Sequence, residues 1–272
     1  MTEALVATTQ NTEHGTGHRT ATRWRFLHVV HRNFLVWRKL IGSALVGHLA
    51  DPLIWLVGLG FGLGSLMPSI GGLSYIAFLG SGMLCYSAMN SASFEGLWSA
   101  FTRLKMQRTW ESILHAPMTV TDIVVGEWMW AGLKGTLSGA AILLVMTLLG
   151  IVKSPAALWV LPVVLLVGLA FAGLALIVTA LAKSYDLFTY YFSLILMPMT
   201  LVSGVFFPID QLPRAMQVIA QFLPLVHATT LGRALVVGTP PGNIALHIIV
   251  LLVYALATVT IASKLVERRL MR

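Results

Sequence analysis

Residues Leu201–Pro213 read LVSGVFFPIDQLP. An apolar run closes on two phenylalanines and Pro208, and an aspartate and a second proline follow at once. Proline lacks an amide proton and its ring clashes with the preceding turn, so a helix that meets Pro208 is expected to end there. Which solvent surrounds that helix is decided by the rest of the chain. The 272 residues are 57% hydrophobic and 10% charged, with a mean hydropathy of +0.83, whereas soluble domains carry about 25% charged residues. A soluble core of this size does not need so few charges. The composition describes an all-α polytopic membrane protein, because helices satisfy their own backbone groups in lipid.

A transmembrane helix needs about 20 mostly apolar residues. Six stretches qualify, at roughly 42–66, 74–100, 120–150, 156–182, 187–208 and 243–263. Six spans place both termini on one side, and the basic residues say which. With a cytoplasmic N-terminus, the inner segments hold the cations from Arg19 to Lys39, then Arg103, Lys105, Arg108 and Lys183, then those from Lys264 to Arg272. The outer loops hold only Lys153, Arg214 and Arg233. That bias follows the positive-inside rule. The formal charge of +8 therefore reports topology, nucleic acid is not an expected partner, and Leu201–Pro213 falls on the outer face.

The segments between spans are informative. Residues 1–22 are polar, with no apolar run, and are expected to form a disordered cytoplasmic tail without a cleavable signal. Residues 23–40 gather Arg25, His28, His31, Arg32, Arg38 and Lys39 on one side of a helical projection and Phe26, Val30, Phe34 and Trp37 on the other. Such a helix lies in the membrane interface, either as a plain anchor or also as a brace for a cytoplasmic partner. Between spans two and three, TWESILHAP forms a short amphipathic helix that Pro117 ends, with Thr121 and Asp122 placed to cap the next span. An exposed Trp110 flanked by charges suits docking into another protein; a solvated loop is the alternative. After Pro208, Arg214–Leu223 and the piece ending at Gly238 are each too short to cross, so residues 209–240 are expected to dip into the outer leaflet and return. Residues 265–272 form a basic cytoplasmic tail, and 41–264 the transmembrane domain.

Chemistry is sparse. There is no phosphate loop, no HExxH and no GxSxG. No catalytic set and no metal site are expected, and Cys85, the only cysteine, permits no internal disulfide. Charges inside spans are costly and kept for a reason. His48 and Asp51 precede a proline in span one; Glu95 stands late in span two; Glu127 and Lys134 stand two turns apart on span three, too far for a direct pair. Asp51 and Lys134 read as inward-facing, while Glu95 and Glu127 read either so or as carboxylates snorkelling to the headgroups. Gly135 and Gly139 form a GxxxG pair that permits close helix approach.

Taken in order, NFLVWRKL, GHLADPLIWLVGLGFGLG, QRTWESIL, DIVVGEWMW, GLAFAGLALIVTALAKSYDLF, VFFPIDQLP and FLPLVH resemble the permease subunit of ABC type-2 exporters, and within them the nodulation-type, NodJ-like lipo-oligosaccharide branch. The resemblance covers nearly all of the chain from about residue 22. It implies a homodimer in a bacterial inner membrane, two copies of a separate ATPase subunit that binds ATP and Mg, and a path between the permeases. This chain itself would bind no cofactor. Arg108, Thr109, Trp110 and Glu111 would then lie on the coupling helix, about 106–117, and Phe206, Phe207, Pro208 and Asp210 would form the outer gate. Trp55, Tyr86, Phe94, Trp98, Tyr190 and Tyr191, with His48, Asp51 and Lys134, are path candidates, since ring faces suit acyl chains and sugar C–H faces. Membrane-interface aromatics are the plainer reading for many of them. The function so implied is export of an amphiphilic glycolipid or lipo-oligosaccharide. Drug or polyketide efflux is the rival within the family, a membrane-embedded transferase using His48 and Asp51 the rival outside it, and a passive anchor a third.

Overall fold

A computed structural model describes residues 24–67, 69–152, 154–239 and 242–271, without the side chains of 43–45, 47–49 and 51. The expectations placed on residues 1–22 and on the side chains of His48 and Asp51 fall outside that set.

The described residues are helical nearly throughout. In order come α1 (Phe26–Arg38), α2 (Ile41–Leu66), α3 (Tyr75–Phe94), α4 (Thr109–Leu114), α5 (Val120–Leu148), α6 (Val160–Leu181), α7 (Asp186–Tyr191), α8 (Met197–Val202), α9 (Arg214–Ala220), α10 (Pro224–Val237) and α11 (Ile244–Leu270). A minimal hairpin, β1 (Ser69–Ile70) with β2 (Leu73–Ser74), turns the chain from α2 into α3. Gly71 and Gly72 both take positive φ there, as a two-residue hairpin turn requires. By length and composition α5, Pro155–Leu181 and α11 are able to cross a membrane. A fourth crossing is added if α9 and α10, bent by 85° at their junction, count as one. Pro52–Leu66 of α2 and the continuous stretch through α7 and α8 are shorter apolar helices.

Local chemistry sets several ends differently from the expectation. The α5 cap is Thr119, two residues earlier than Thr121: its hydroxyl accepts from the Asp122 amide, and the Asp122 carboxylate accepts from the Thr119 amide. The helix α8 ends at Val202, well before Pro208. Gly204, at φ +72°, reverses the chain, and Pro208 follows in extended backbone. Residues 265–270 belong to α11, which runs to Leu270. Arg269 donates to the carbonyls of Thr179 (2.7 Å) and Ala180 (3.0 Å), closing the end of α6. After α3 the winding loosens into two i→i+5 turns, Glu95–Ser99 and Thr102–Met106, so the helix continues into what composition marks as a loop.

The core lies where α3, α5 and α6 meet, with α11 on the far side of α6. The GxxxG pair works inside this chain. A methyl at Gly135 would stand 2.7 Å from the Ala88 carbonyl, and one at Gly139 2.5 Å from Val164. The first turns of α1 press on α5 in the same way, where a methyl at Gly126 would meet Val29 at 2.6 Å. Val29 and Asn33 are thereby buried, while Leu27, Phe34, Leu35, Val36 and Leu40 remain exposed.

Candidate functional site

Two neighbouring regions concentrate the chemistry. The first is a buried charge network where the loosened end of α3 meets α5. Eight residues separate Glu95 from Arg103, more than two turns of α-helix at ~3.6 residues per turn. The wider i→i+5 turns stretch the winding and bring them together. Arg103 Nη2 donates to Glu95 Oε1 at 2.8 Å, and its Nε donates to Glu127 Oε1 at 2.9 Å. Lys134 Nζ donates to Glu95 Oε2 at 2.7 Å. Two tryptophans complete the set: Trp130 Nε1 donates to Glu95 Oε1 at 3.1 Å, and Trp110 Nε1 to Glu127 Oε1 at 3.2 Å. Glu95 is 2% exposed, Glu127 1% and Lys134 8%.

Neither carboxylate snorkels outward. Two carboxylates and two cations balance, which is the condition under which charge survives out of water. Glu127 and Lys134 do not touch; Arg103 and Glu95 stand between them. The expectation that Trp110 is exposed is corrected. Trp110 is fully buried, and α4 folds back so that its indole caps Glu127. Arg108, at φ +48°, and Glu111 stay exposed, with Thr109 half-buried between them.

The second region is an apolar cleft of roughly 410 Å³ between α2, α3 and the α7–α8 helix, floored by the turn after α8. Trp55, Tyr86, Phe206 and Phe207 all line it, together with Met89, Phe192 and Leu196. Trp55 meets Phe206 edge to face, centroids 5.9 Å apart. Phe94 and Trp98 form a stacked pair at 4.9 Å beside it. Trp98 packs on Phe192 of the cleft at 5.1 Å and also lines a separate charged cavity, so this ring separates the two regions. Tyr190, 61% exposed, and the buried Tyr191 are not among the residues that line it. Pro208 is half-buried, and Asp210 is exposed beyond the cleft.

Composition gave no hint of what holds the turn carrying Phe206. Arg233, counted above as an outer-loop cation, is a clamp. Its guanidinium stacks 3.6 Å from the Phe78 ring centroid and donates to the Gly204 carbonyl at 2.7 Å and to Ser81 Oγ at 3.2 Å. Gly82 lets the turn approach α3, since a methyl there would lie 2.8 Å from the Val205 carbonyl oxygen. His227 and His247, twenty residues apart, share a hydrogen bond between their Nδ1 atoms at 2.7 Å, while His227 Nε2 donates to the Gln221 carbonyl at 2.8 Å. That pair ties α10 to α11. Among the described residues no group of three or more His, Cys, Asp or Glu gathers as a metal site.

Among the described residues, a helical domain carries a buried carboxylate–arginine network beside an aromatic cleft. The ABC-2 type transporter family matches residues 25–237, and the chain belongs to that family. It is similar to Nodulation protein J of Rhizobium leguminosarum bv. viciae, 47% identical over 91% of this chain and 95% of the relative. It is 45% identical to Nodulation protein J of Rhizobium meliloti (strain 1021), over 92% of this chain and 96% of that one. More distantly it resembles the inner membrane transport permease YadH of Escherichia coli (strain K12), 25% identical over 88% of this chain and 91% of the relative.

Proposed function

We propose that this chain is the permease of an ATP-driven exporter that moves an amphiphilic glycolipid or lipo-oligosaccharide across a bacterial inner membrane. The observation that carries this reading is the cleft of roughly 410 Å³ lined by Trp55, Tyr86, Phe206 and Phe207, whose ring faces suit acyl chains and sugar C–H faces alike. Similarity to Nodulation protein J over 91% of the chain supports a place in the nodulation branch that the sequence motifs resemble. In this reading α2, α3, α5, α6, α7–α8 and α11 are six spans with both termini cytoplasmic, and α9–α10 is a re-entrant pair in the outer leaflet. Two copies of the chain enclose the path, and two copies of an ATPase subunit drive it.

Coupling then has a route through this chain's own side chains. The ATPase engages the exposed Arg108 and Glu111 of α4, and Trp110 passes the displacement to Glu127, Arg103, Glu95 and Lys134. The network connects α4 with α5 and with the end of α3, so a shift of α4 is passed to α3, the helix that supplies Tyr86 and Met89 to the wall of the cleft. Phe206 and Phe207 close its outer end. Reconstitution of the chain with its ATPase in liposomes tests the reading. ATP-dependent accumulation of a lipo-oligosaccharide in inverted vesicles is the expected result, and transport of an uncharged hydrophobic drug without any lipo-oligosaccharide transport would overturn it in favour of efflux. Charge reversal at Glu111 (Glu111→Lys) is expected to abolish stimulation of the ATPase while leaving the chain folded.

A further inference from the structure

Beside the charge network, and separated from the cleft by Trp98, lies a second cavity of roughly 440 Å³. Its walls come from α1, from the loosened end of α3 and from α5. Two donors on α1 have no partner there. Asn33 Nδ2 and Trp37 Nε1 are both buried, and neither makes a hydrogen bond, although both residues line the cavity. Asn33 is only 3% exposed. Its amide orientation is settled by Arg32, which donates from Nη1 to Asn33 Oδ1 at 2.9 Å, leaving the NH₂ group as the unpaired end. Buried donors left unpaired are rare and call for an explanation.

Charge points the same way. Arg32, Arg103 and Lys134 line the cavity against Glu95 alone. Glu127, behind Arg103, reduces the excess to one positive charge. Burial first, and then the charge of Arg103, depress the affinity of Arg32 for its proton, with Glu127 acting the other way. One added anion relieves that repulsion. The rim is apolar: Val36 is exposed at 52% and Leu40 at 59%, and both border the opening.

We propose that this cavity binds the phosphodiester head group of an anionic phospholipid from the leaflet on which α1 lies. A phosphodiester brings one negative charge and oxygens that accept from two N–H groups at once. Its acyl chains lie over Val36 and Leu40, where the apolar face of an interfacial helix already meets lipid. The inference rests on α1 being interfacial, and it is independent of what the cleft transports. It makes α1 a lipid-dependent brace on the charge network, because the bound phosphate would hold Asn33 and Trp37 against the end of α3.

The test uses the full chain purified in neutral detergent, titrated with dihexanoyl phosphatidylglycerol and read by native mass spectrometry and by the shift in melting temperature. Inorganic phosphate and octyl glucoside serve as comparison probes. Saturable binding of the phospholipid is expected. Asn33→Asp keeps the acceptor for Arg32 but replaces the donor with negative charge, and should weaken binding at least tenfold. Trp37→Phe keeps the ring and removes one N–H, for a loss of about three- to tenfold. Arg214→Ala, remote from the cavity, should change nothing. Should Asn33→Asp fail to fold, Trp37→Phe carries the test alone. Phospholipid binding untouched by both variants would overturn the proposal. Saturation by inorganic phosphate at the same concentration would make this a free-anion site, and equal competition by octyl glucoside a sugar site; either result also overturns it.

Discussion

The indole of Trp110 donates to the carboxylate of Glu127 at 3.2 Å, joining the six-residue helix α4 to the long helix α5 through a fully buried contact. The indole is therefore turned into the protein rather than toward solvent. Trp110→Phe keeps most of the packing and removes only the N–H, leaving Glu127 with Arg103 alone. A stability loss of about 1–3 kcal/mol is expected, the range for a buried polar group that loses a partner. Thermal unfolding of the purified chain measures it. If the indole is the transmitting link, the same variant also lowers ATP-driven transport more than it lowers ATP hydrolysis.

Arg103 is the hub. It serves Glu95 and Glu127 together, so its removal leaves Glu127 without a salt-bridge partner and Glu95 with Lys134 alone. Arg103→Met should destabilise the chain by about 3–5 kcal/mol. Arg103→Lys should rescue little, because a single ammonium cannot span two carboxylates as the planar guanidinium does. Limited proteolysis and melting temperature distinguish the two variants. Equal stability of both with the parent chain would remove the network from any structural role.

How much of this was legible in the sequence depends on what kind of signal each part leaves. The helices α5, α6 and α11 announce themselves because their apolar runs are as long as a bilayer is thick. The kinship announces itself because many weak motifs keep their order. The network does not, since Arg103 looks like one more cytoplasmic cation until two wide turns carry it back beneath Glu95. Trp110 was misread for a related reason: in a helix of six residues an apolar face for docking outward and one for folding inward have the same pattern. The end of α8 was placed at Pro208 because a proline is a visible stop, whereas the left-handed turn at Gly204 leaves no mark beyond the glycine itself. The clamp by Arg233 is a contact across 155 residues, and no local pattern encodes it.

That clamp should be separable from the cleft. Arg233→Met removes the donor to the Gly204 carbonyl and the stack on Phe78 while preserving length and apolar bulk. The turn carrying Phe206 loses one of its tethers, keeping those from Thr229 to the Ser203 carbonyl and from Tyr75 to the Phe206 carbonyl, and a loss of about 1.5–3 kcal/mol is expected for hydrogen bonds from a charged donor. Hydrogen exchange of the amides around 203–207 should rise while exchange in α5 and α6 stays slow. Gly82→Ala pushes on the same turn from the other side, through the Val205 carbonyl, and should loosen it too, at about 1–3 kcal/mol for overpacking.

Phe206 and Phe207 carry the sharpest functional prediction. Both line the cleft, and Phe206 sits edge to face with Trp55 from another helix, a pair worth about 0.5–1.5 kcal/mol beyond its area. The contact bridges α2 and the turn after α8, so it must break or slide whenever those elements part. Trp55→Ala and Phe206→Ala are then expected to act on the same step, with the double variant little worse than either single one. Phe207→Ala tests the second ring that lines the same cleft. If the two phenylalanines form the outer gate, their removal should raise basal ATP hydrolysis in proteoliposomes and reduce the export achieved per ATP. Unchanged hydrolysis and unchanged export in the Phe206→Ala, Phe207→Ala double variant would show that the outer end closes elsewhere, and strictly additive effects of Trp55→Ala and Phe206→Ala would show that the ring contact is not what holds it shut.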